Sequence, residues 1–423
     1  MKKCFLLILL LPLVLSCTGY LNKEVAQKRV SYPRNNVRGY VMTMEELEEF
    51  ALNLPSMFSN NPKTKTEEGQ KWIKDITPLK KTCWKREATI EGTVDMTDYI
   101  YLVNYGDNKG FCVVSSNNAM EQVLAYSDSG NLSDTTSFPG IHIFMESLGN
   151  HVANNGQPCN FYIDTGDTVY FYQFYQVRYE DLGSFDVGVS HFSNWGQGSP
   201  YNSVCSQAVG YTCPTGCVAT AIGQIMSYHQ HPDSVFSYPT NQALTLNWGS
   251  FPCMFTENDD YVPVSTLLYR IGLAVQMQYS ANGSGANSSN VPAALQSFGY
   301  TSSSYQAYNQ DSIITSLSQG CPVYIRGVSQ ELGGHAWVIE NGHQAAFTTY
   351  YDYKVYDQYG GYHGIYSEDA GTSIGSVMWY YNWGWNGQYN GYYTAGTYNS
   401  NTGNFDNSIR IIPNIRPNSN YTN

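Results

Sequence analysis

The chain runs to 423 residues, with 22 Lys+Arg against 34 Asp+Glu for a net charge of −12, and it carries 38 Gly and 37 Tyr. That length accommodates two domains with a core each, and the acidity sets aside nucleic acid as a partner. Charge is sparse at 13% and uneven: 17 of the basic residues fall within residues 1–182, leaving Arg270, Arg326, Lys354, Arg410 and Arg416 for the rest, so two parts with different surfaces are expected.

Lys2 and Lys3 precede the apolar run Phe5–Leu15, which is too short to span a bilayer and has the form of a secretory signal. The run ends Val14-Leu15-Ser16-Cys17, which resembles a bacterial lipobox. Residues 1–17 are then a lipoprotein signal and Cys17 the lipidated N-terminus that anchors the chain to a membrane; a plain cleaved signal peptide is the alternative. In both cases the chain leaves the cytoplasm, as an outer-membrane or cell-surface lipoprotein or as a secreted protein. Its cysteines therefore meet an oxidising compartment. Cys205, Cys213, Cys217, Cys253 and Cys321 make an odd set in the second half, which suits one free thiol and up to two bridges.

Residues 18 to about 40 read as a polar tether. Thr43 with Glu46 three residues on is an N-cap pattern for a short helix over Met42–Phe58. Strands are expected at Thr89–Val94, Tyr99–Asn104, Gly110–Ser115 and Val123–Tyr126, then an amphipathic helix over Gly140–Ala153. Residues 18–185 thus form a small α+β domain with no pairing of nucleophile and base. Residues 176–190, where the basic residues stop, read as an exposed junction tolerant of a processing cut.

Residues 186–423 open with Asn194-Trp195-Gly196-Gln197. In Thr215-Gly-Cys-Val-Ala-Thr-Ala-Ile-Gly-Gln-Ile-Met-Ser-Tyr-His229, the residues Val218, Ile222, Ile225, Met226 and His229 share one helical stripe. Cys217 falls at the helix N-terminus, where unpaired N–H groups and the helix dipole favour a thiolate; taken alone it reads equally well as a buried core cysteine. Further helices are expected at Val264–Met277, Val291–Phe298 and from an Asp311 cap through Leu317, with a flexible loop at Ser280–Asn290. Strands follow at Cys321–Val328, at His335–Glu340 and in the Tyr-rich runs after Thr348. Helices first and an antiparallel sheet after is a papain-like, α+β order.

A thiol peptidase needs a thiolate, an imidazole to polarise it, a group to orient that imidazole and donors for an oxyanion. His335 follows Gly333 and Gly334 at the start of a buried strand. Asn382 offers an amide to the other ring nitrogen, Trp383 an indole to exclude water, and Gln197 a side-chain donor to the oxyanion. Singly these are weak signals, and Asn247-Trp248-Gly249 repeats the Asn-Trp-Gly tripeptide without such a role. In chain order Gln, Cys, His, Asn they match the papain type. Cys205, Cys213, Cys217, His229 and His231 lack the compact spacing of a zinc site, so neither metal nor other cofactor is expected.

Gly196-Gln-Gly-Ser-Pro-Tyr-Asn202, Thr215–Ala221 with Gln224–His229, Gly334-His-Ala-Trp-Val-Ile339 and Asn382-Trp-Gly-Trp385 together resemble the streptopain family of papain-like cysteine peptidases. Gly110-Phe-Cys-Val-Val-Ser115 and Leu124-Ala-Tyr-Ser-Asp-Ser-Gly130 resemble the propeptide, or inhibitor-like, domain ahead of such enzymes. The resemblance implies a zymogen endopeptidase acting on protein or peptide substrates and restrained by its own propeptide. It also implies a loop, Gly283-Ser284-Gly285-Ala286, walling a pocket for an apolar side chain two residues before the cut. Gly333 and Gly334 would border the same cleft. Against the family pattern, 46 residues separate His335 from Asn382, enough for an inserted hairpin or flap. The rival reading is a catalytically silent surface lipoprotein that binds proteins or glycans on a peptidase fold; an intact set of Cys, His, Asn and Gln argues against it.

Overall fold

The computed structural model describes residues 30–31, 42–58, 71–79, 82–84, 93–95, 100–116, 122–133, 161–164, 168–190, 193–329, 333–374, 377–394 and 409–418, with parts of 138–148. Cys17 and the tether after it lie outside these, as does most of the strand expected at Thr89–Val94.

Helix α1 (Met44–Phe58) starts as the pattern requires: the Thr43 N–H donates to Glu46 Oε2 at 2.8 Å and the Glu46 N–H to Thr43 Oγ1 at 3.3 Å. Leu47, Ala51 and Leu54 on its inner face are fully buried. They pack on Val103, Tyr105, Cys112 and Val114 of an antiparallel meander, β1 (Ile73–Pro78), β2 (Ile100–Tyr105), β3 (Phe111–Ser115) and β4 (Val123–Ser127). The described residues of 140–148 are helical.

The expected open junction is instead a strand. Residues Val169–Gly188 form β5, hydrogen-bonded along its length to the later strand β7 (Gly333–Asp357), with Asn341 opposite Gly188 and Asp357 opposite Tyr170. Alternating Tyr, Phe and Val in this stretch favour the extended chain, and β7 supplies a partner that the local pattern does not reveal.

The helical part follows: α2 (Ser203–Val209), α3 (Cys217–His229), α4 (Val262–Ala274), α5 (Val291–Ser297) and α6 (Gln310–Ser318). Helix α4 stops three residues short of the expected Met277 because Gln276 adopts φ 60° and the chain turns back, Met277 N–H bonding the Gly272 carbonyl. The cap of α6 is Asn309, whose side chain accepts from the Ser312 N–H; Asp311 lies inside the first turn. Helix α3 is buried on every side from Val218 to Met226, not on one stripe. Val218, Ile222, Ile225 and Met226 face the helical core, while Gln224 meets the sheet at Asn382. Its small residues permit this: a Cβ on Gly223 would lie 2.5 Å from Leu268 Cδ2.

The sheet then gathers β6 (Val323–Ser329), β7, β8 (Tyr362–Ile374), β9 (Met378–Asn382), β10 (Gly391–Thr394) and β11 (Arg410–Ile412). Strands β7 and β8 form the hairpin that accounts for the long interval before Asn382. Strand β10 pairs with β4, Tyr392 opposite Tyr126, so one sheet runs from the N-terminal meander into the C-terminal half. The architecture is α+β, as the sequence pattern requires.

Candidate active site

Helix α3 begins at a residue that only glycine can fill. Gly216 has φ 88° and ψ 138°, and a Cβ there would stand 2.6 Å from Met277 Sδ and 3.0 Å from the Ser284 carbonyl oxygen. The loop that holds Gly283, Ser284, Gly285 and Ala286 therefore rests against this helix end. Gln197 is held there too, its carbonyl accepting from the Thr215 N–H at 2.9 Å.

Cys217 is half-buried and free. Burial pushes its thiol up from the ordinary value; the backbone N–H groups of Ala336, Val218 and Cys217 and the charge of Arg326 act the other way without overcoming it. The contact with Ala336 places the sulfur beside β7, one residue from His335.

His335, the third residue of β7, is 3% exposed. Its Nε2 lies 3.0 Å from the Trp383 carbonyl oxygen; a carbonyl only accepts, so this nitrogen carries the proton. The ring stacks on Trp385 at 4.4 Å and lies near-parallel to Trp337 at 5.9 Å. Desolvation brings the imidazole down to about 4 against the weaker opposing pull of the Trp383 carbonyl. At neutral pH the imidazole is therefore uncharged. No hydrogen bond joins it to Cys217 among the described residues.

The amide of Asn382 does not meet His335. Asn382 sits opposite Val338, and alternation along β7 sends Val338 and His335 to opposite faces. The side chain turns toward α3, where its Oδ1 accepts from Gln224 Nε2 at 2.6 Å and its Nδ2 donates to Glu340 Oε1 and the Ser193 carbonyl, both at 2.6 Å. Asn382, Gln224 and Glu340 are all fully buried. The main chain of Trp383 holds the imidazole in its place. The Trp383 indole, centred 6.2 Å from His335, is more distant than Trp385.

Gly333 and Gly334 open β7, Gly333 at φ 79°, and a Cβ on Gly334 would lie 3.3 Å from Arg326 Nη2. The sequence reading missed Ala336, Trp385, Gln224, Glu340 and Arg326. A signal existed for two of them: Glu340 ends the apolar run Ala336–Ile339, and Arg326 interrupts Val323–Val328.

The N-terminal half reaches the site as well. A Cβ on Gly140 would overlap the Trp383 ring and come within 3.0 Å of His335 Cδ2. Ile141, Ile143, Phe144, Met145 and Leu148 share a buried cluster with Trp337, Trp379, Tyr381 and Trp383, and Phe138 packs on Trp385 at 4.7 Å.

Residues 195–393 match the model of the Peptidase C10 family and residues 47–152 that of the Spi protease inhibitor. Streptopain of Streptococcus pyogenes is 29% identical over a match covering 57% of this chain and 67% of its own. The thiol protease/hemagglutinin PrtT of Porphyromonas gingivalis is 27% identical, the match spanning 47% of this chain and 22% of that one. Among solved structures, a fragment of Prevotella intermedia prointerpain A shares the fold at a TM-score of 0.51 and 21% identity, over 81% of this chain and 98% of the fragment.

Proposed function

We propose that this chain, a cysteine peptidase whose residues 195–393 belong to the Peptidase C10 family, is an exported zymogen endopeptidase restrained by residues 18–185 and working through Cys217 and His335. The observation that carries the restraint is Gly140, seated against both His335 and Trp383. In this form the thiol is raised, the imidazole is lowered and neither bonds the other. A closed N-terminal segment that excludes water from the imidazole accounts for all three.

Once that segment leaves, His335 regains solvent. The ring, no longer packed under Gly140, turns toward Cys217 with Nδ1 as the base. Nδ1 takes the Cys217 proton, and the sulfur attacks the substrate carbonyl. The Cys217 N–H and the Gln197 side-chain amide hold the oxyanion. The imidazolium then protonates the leaving amine, and water hydrolyses the thioester by the reverse sequence. Asn382 acts from behind, fixing the chain that carries the Trp383 carbonyl.

Export rests on the apolar run ahead of Cys17, and anchoring on lipidation of that cysteine. Palmitate labelling of the expressed chain, lost in Cys17→Ser, tests it. For the enzyme, Cys217→Ala should abolish casein hydrolysis and self-processing; residual activity in that variant rejects Cys217 as nucleophile. Latency is a separate measurement: an intact precursor as active as its processed product removes the zymogen reading.

A further inference from the structure

Strands β7, β6 and β11 set Ala336, Arg326 and Arg410 side by side, Arg326 lying opposite both of the others. Residues directly opposite in an antiparallel pair share a face. That face is the one turned to α3: Ala336, Val338, Tyr324 and Ile412 belong to the buried cluster of the helical half, whereas Trp337, Ile325 and Ile411 belong to the other. Arg326 is close enough to Cys217 to favour its thiolate, and its guanidinium passes Gly334. Neither Arg326 nor Arg410 has a hydrogen-bond or ion-pair partner among the described residues. The other arginines of this half are engaged: Arg270 donates to Phe236, Ser237 and Asn241, and Arg416 to Gln319.

A half-buried guanidinium with no carboxylate partner among the described residues favours a ligand that brings one. The geometry says from which side. The leaving amine must be protonated by His335, so the departing part of a substrate lies toward Trp383 and Trp385. The acyl part lies on the other flank, between Gly216, the loop at Ser284, Ala336 and Arg326. Tyr324, two residues before Arg326 on the same face, is tied to the stretch after that loop through its hydroxyl contact with Ser288 at 2.7 Å.

We infer that Arg326, supported by Arg410, is a specificity-determining residue that selects peptides with an Asp or Glu side chain on the acyl side of the scissile bond. It rests on the peptidase reading above and adds to, rather than replaces, the apolar side chain that the family resemblance implies two residues before the cut. It also matters in a half with few other cations, where the general field repels acidic peptides and a local guanidinium must overcome it.

The test uses the full chain, incubated under reducing conditions, with Cys217 counted by an epoxysuccinyl thiol-peptidase inhibitor and fluorogenic peptides varied one acyl-side position at a time. At one position Glu should exceed both Gln and Lys by roughly tenfold or more in kcat/KM. Arg326→Gln should level the preference and Arg326→Glu reverse it toward Lys, each kcat/KM being taken per titrated site. On the unmodified enzyme, the Glu-over-Gln ratio should shrink as salt rises, a reading that stands even if a variant fails to fold. Titratable, active enzyme with no acidic preference, or a preference that survives both substitutions, overturns this inference alone. Absence of both titration and hydrolysis overturns the peptidase reading with it.

Discussion

His335 donates through Nε2 to the main-chain oxygen of Trp383 at 3.0 Å, so the imidazole is oriented by backbone while the neighbouring Asn382 amide serves a different network. Because burial holds His335 near 4, against about 6.5 in an unfolded chain, the unfolded state binds the extra proton first as pH falls. This contribution to precursor stability is fully present above about pH 6.5 and is lost as pH falls toward about 4. Urea unfolding of the Cys217→Ala precursor at pH 7 and pH 4.5 should differ, with His335 contributing up to about 3 kcal/mol. The same protein carrying His335→Gln should show a smaller difference; an equal one assigns the effect elsewhere.

Gly140 gives the most direct handle on restraint. A leucine at this position would drive into Trp383 and His335, and overpacking of that kind costs about 1–3 kcal/mol. The Gly140→Leu precursor should hydrolyse a small peptide roughly 5- to 100-fold faster than the unmodified precursor, with no change once both are processed. Equal precursor rates would show that 140–148 does not close the site.

Asn382 is expected to behave as a structural residue first. Truncation to Ala removes the partner of Gln224 Nε2, that of the Ser193 carbonyl and one donor to Glu340 Oε1 in a dry interior, at a cost of about 2–4 kcal/mol. Thermal unfolding of Asn382→Ala should fall by several degrees together with kcat. A fall in kcat at unchanged thermal stability would return Asn382 to direct contact with the imidazole.

Cys205 and Cys213 place their sulfurs 3.9 Å apart, both buried. Peptide mapping of protein exported through an oxidising envelope should find them joined, with Cys217 still open to alkylation. Closing so short a loop stabilises by about 2.5 kcal/mol in the chain-entropy account; equal unfolding midpoints with and without a reductant would contradict it.

Much of the site was legible because its signals are local. Gly216 before Cys217 at a helix start, paired glycines before His335, and Thr43 with Glu46 each encode a backbone conformation within a few residues, and the structure gives each one. The same locality explains the misses. Asp311 carries the chemistry of a cap, but Asn309, with the same chemistry, stands two residues earlier and takes the role. The stretch 176–190 reads locally as an open junction because its partner, β7, lies more than 150 residues further on.

The order of motifs and the α+β class follow from sequence alone, since helix periodicity, strand alternation and turn chemistry act over short range, while the inhibitor-like and peptidase parts are what the family resemblance of its phrases implies. Which face each side chain occupies does not. A shift of one residue along β7 separates His335 from Ala336, sending one toward Trp385 and the other toward Cys217. That choice, set by pairing with β6 and β9, gave the imidazole to a carbonyl, the Asn382 amide to Gln224 and Glu340, and Arg326 to the face that carries Cys217.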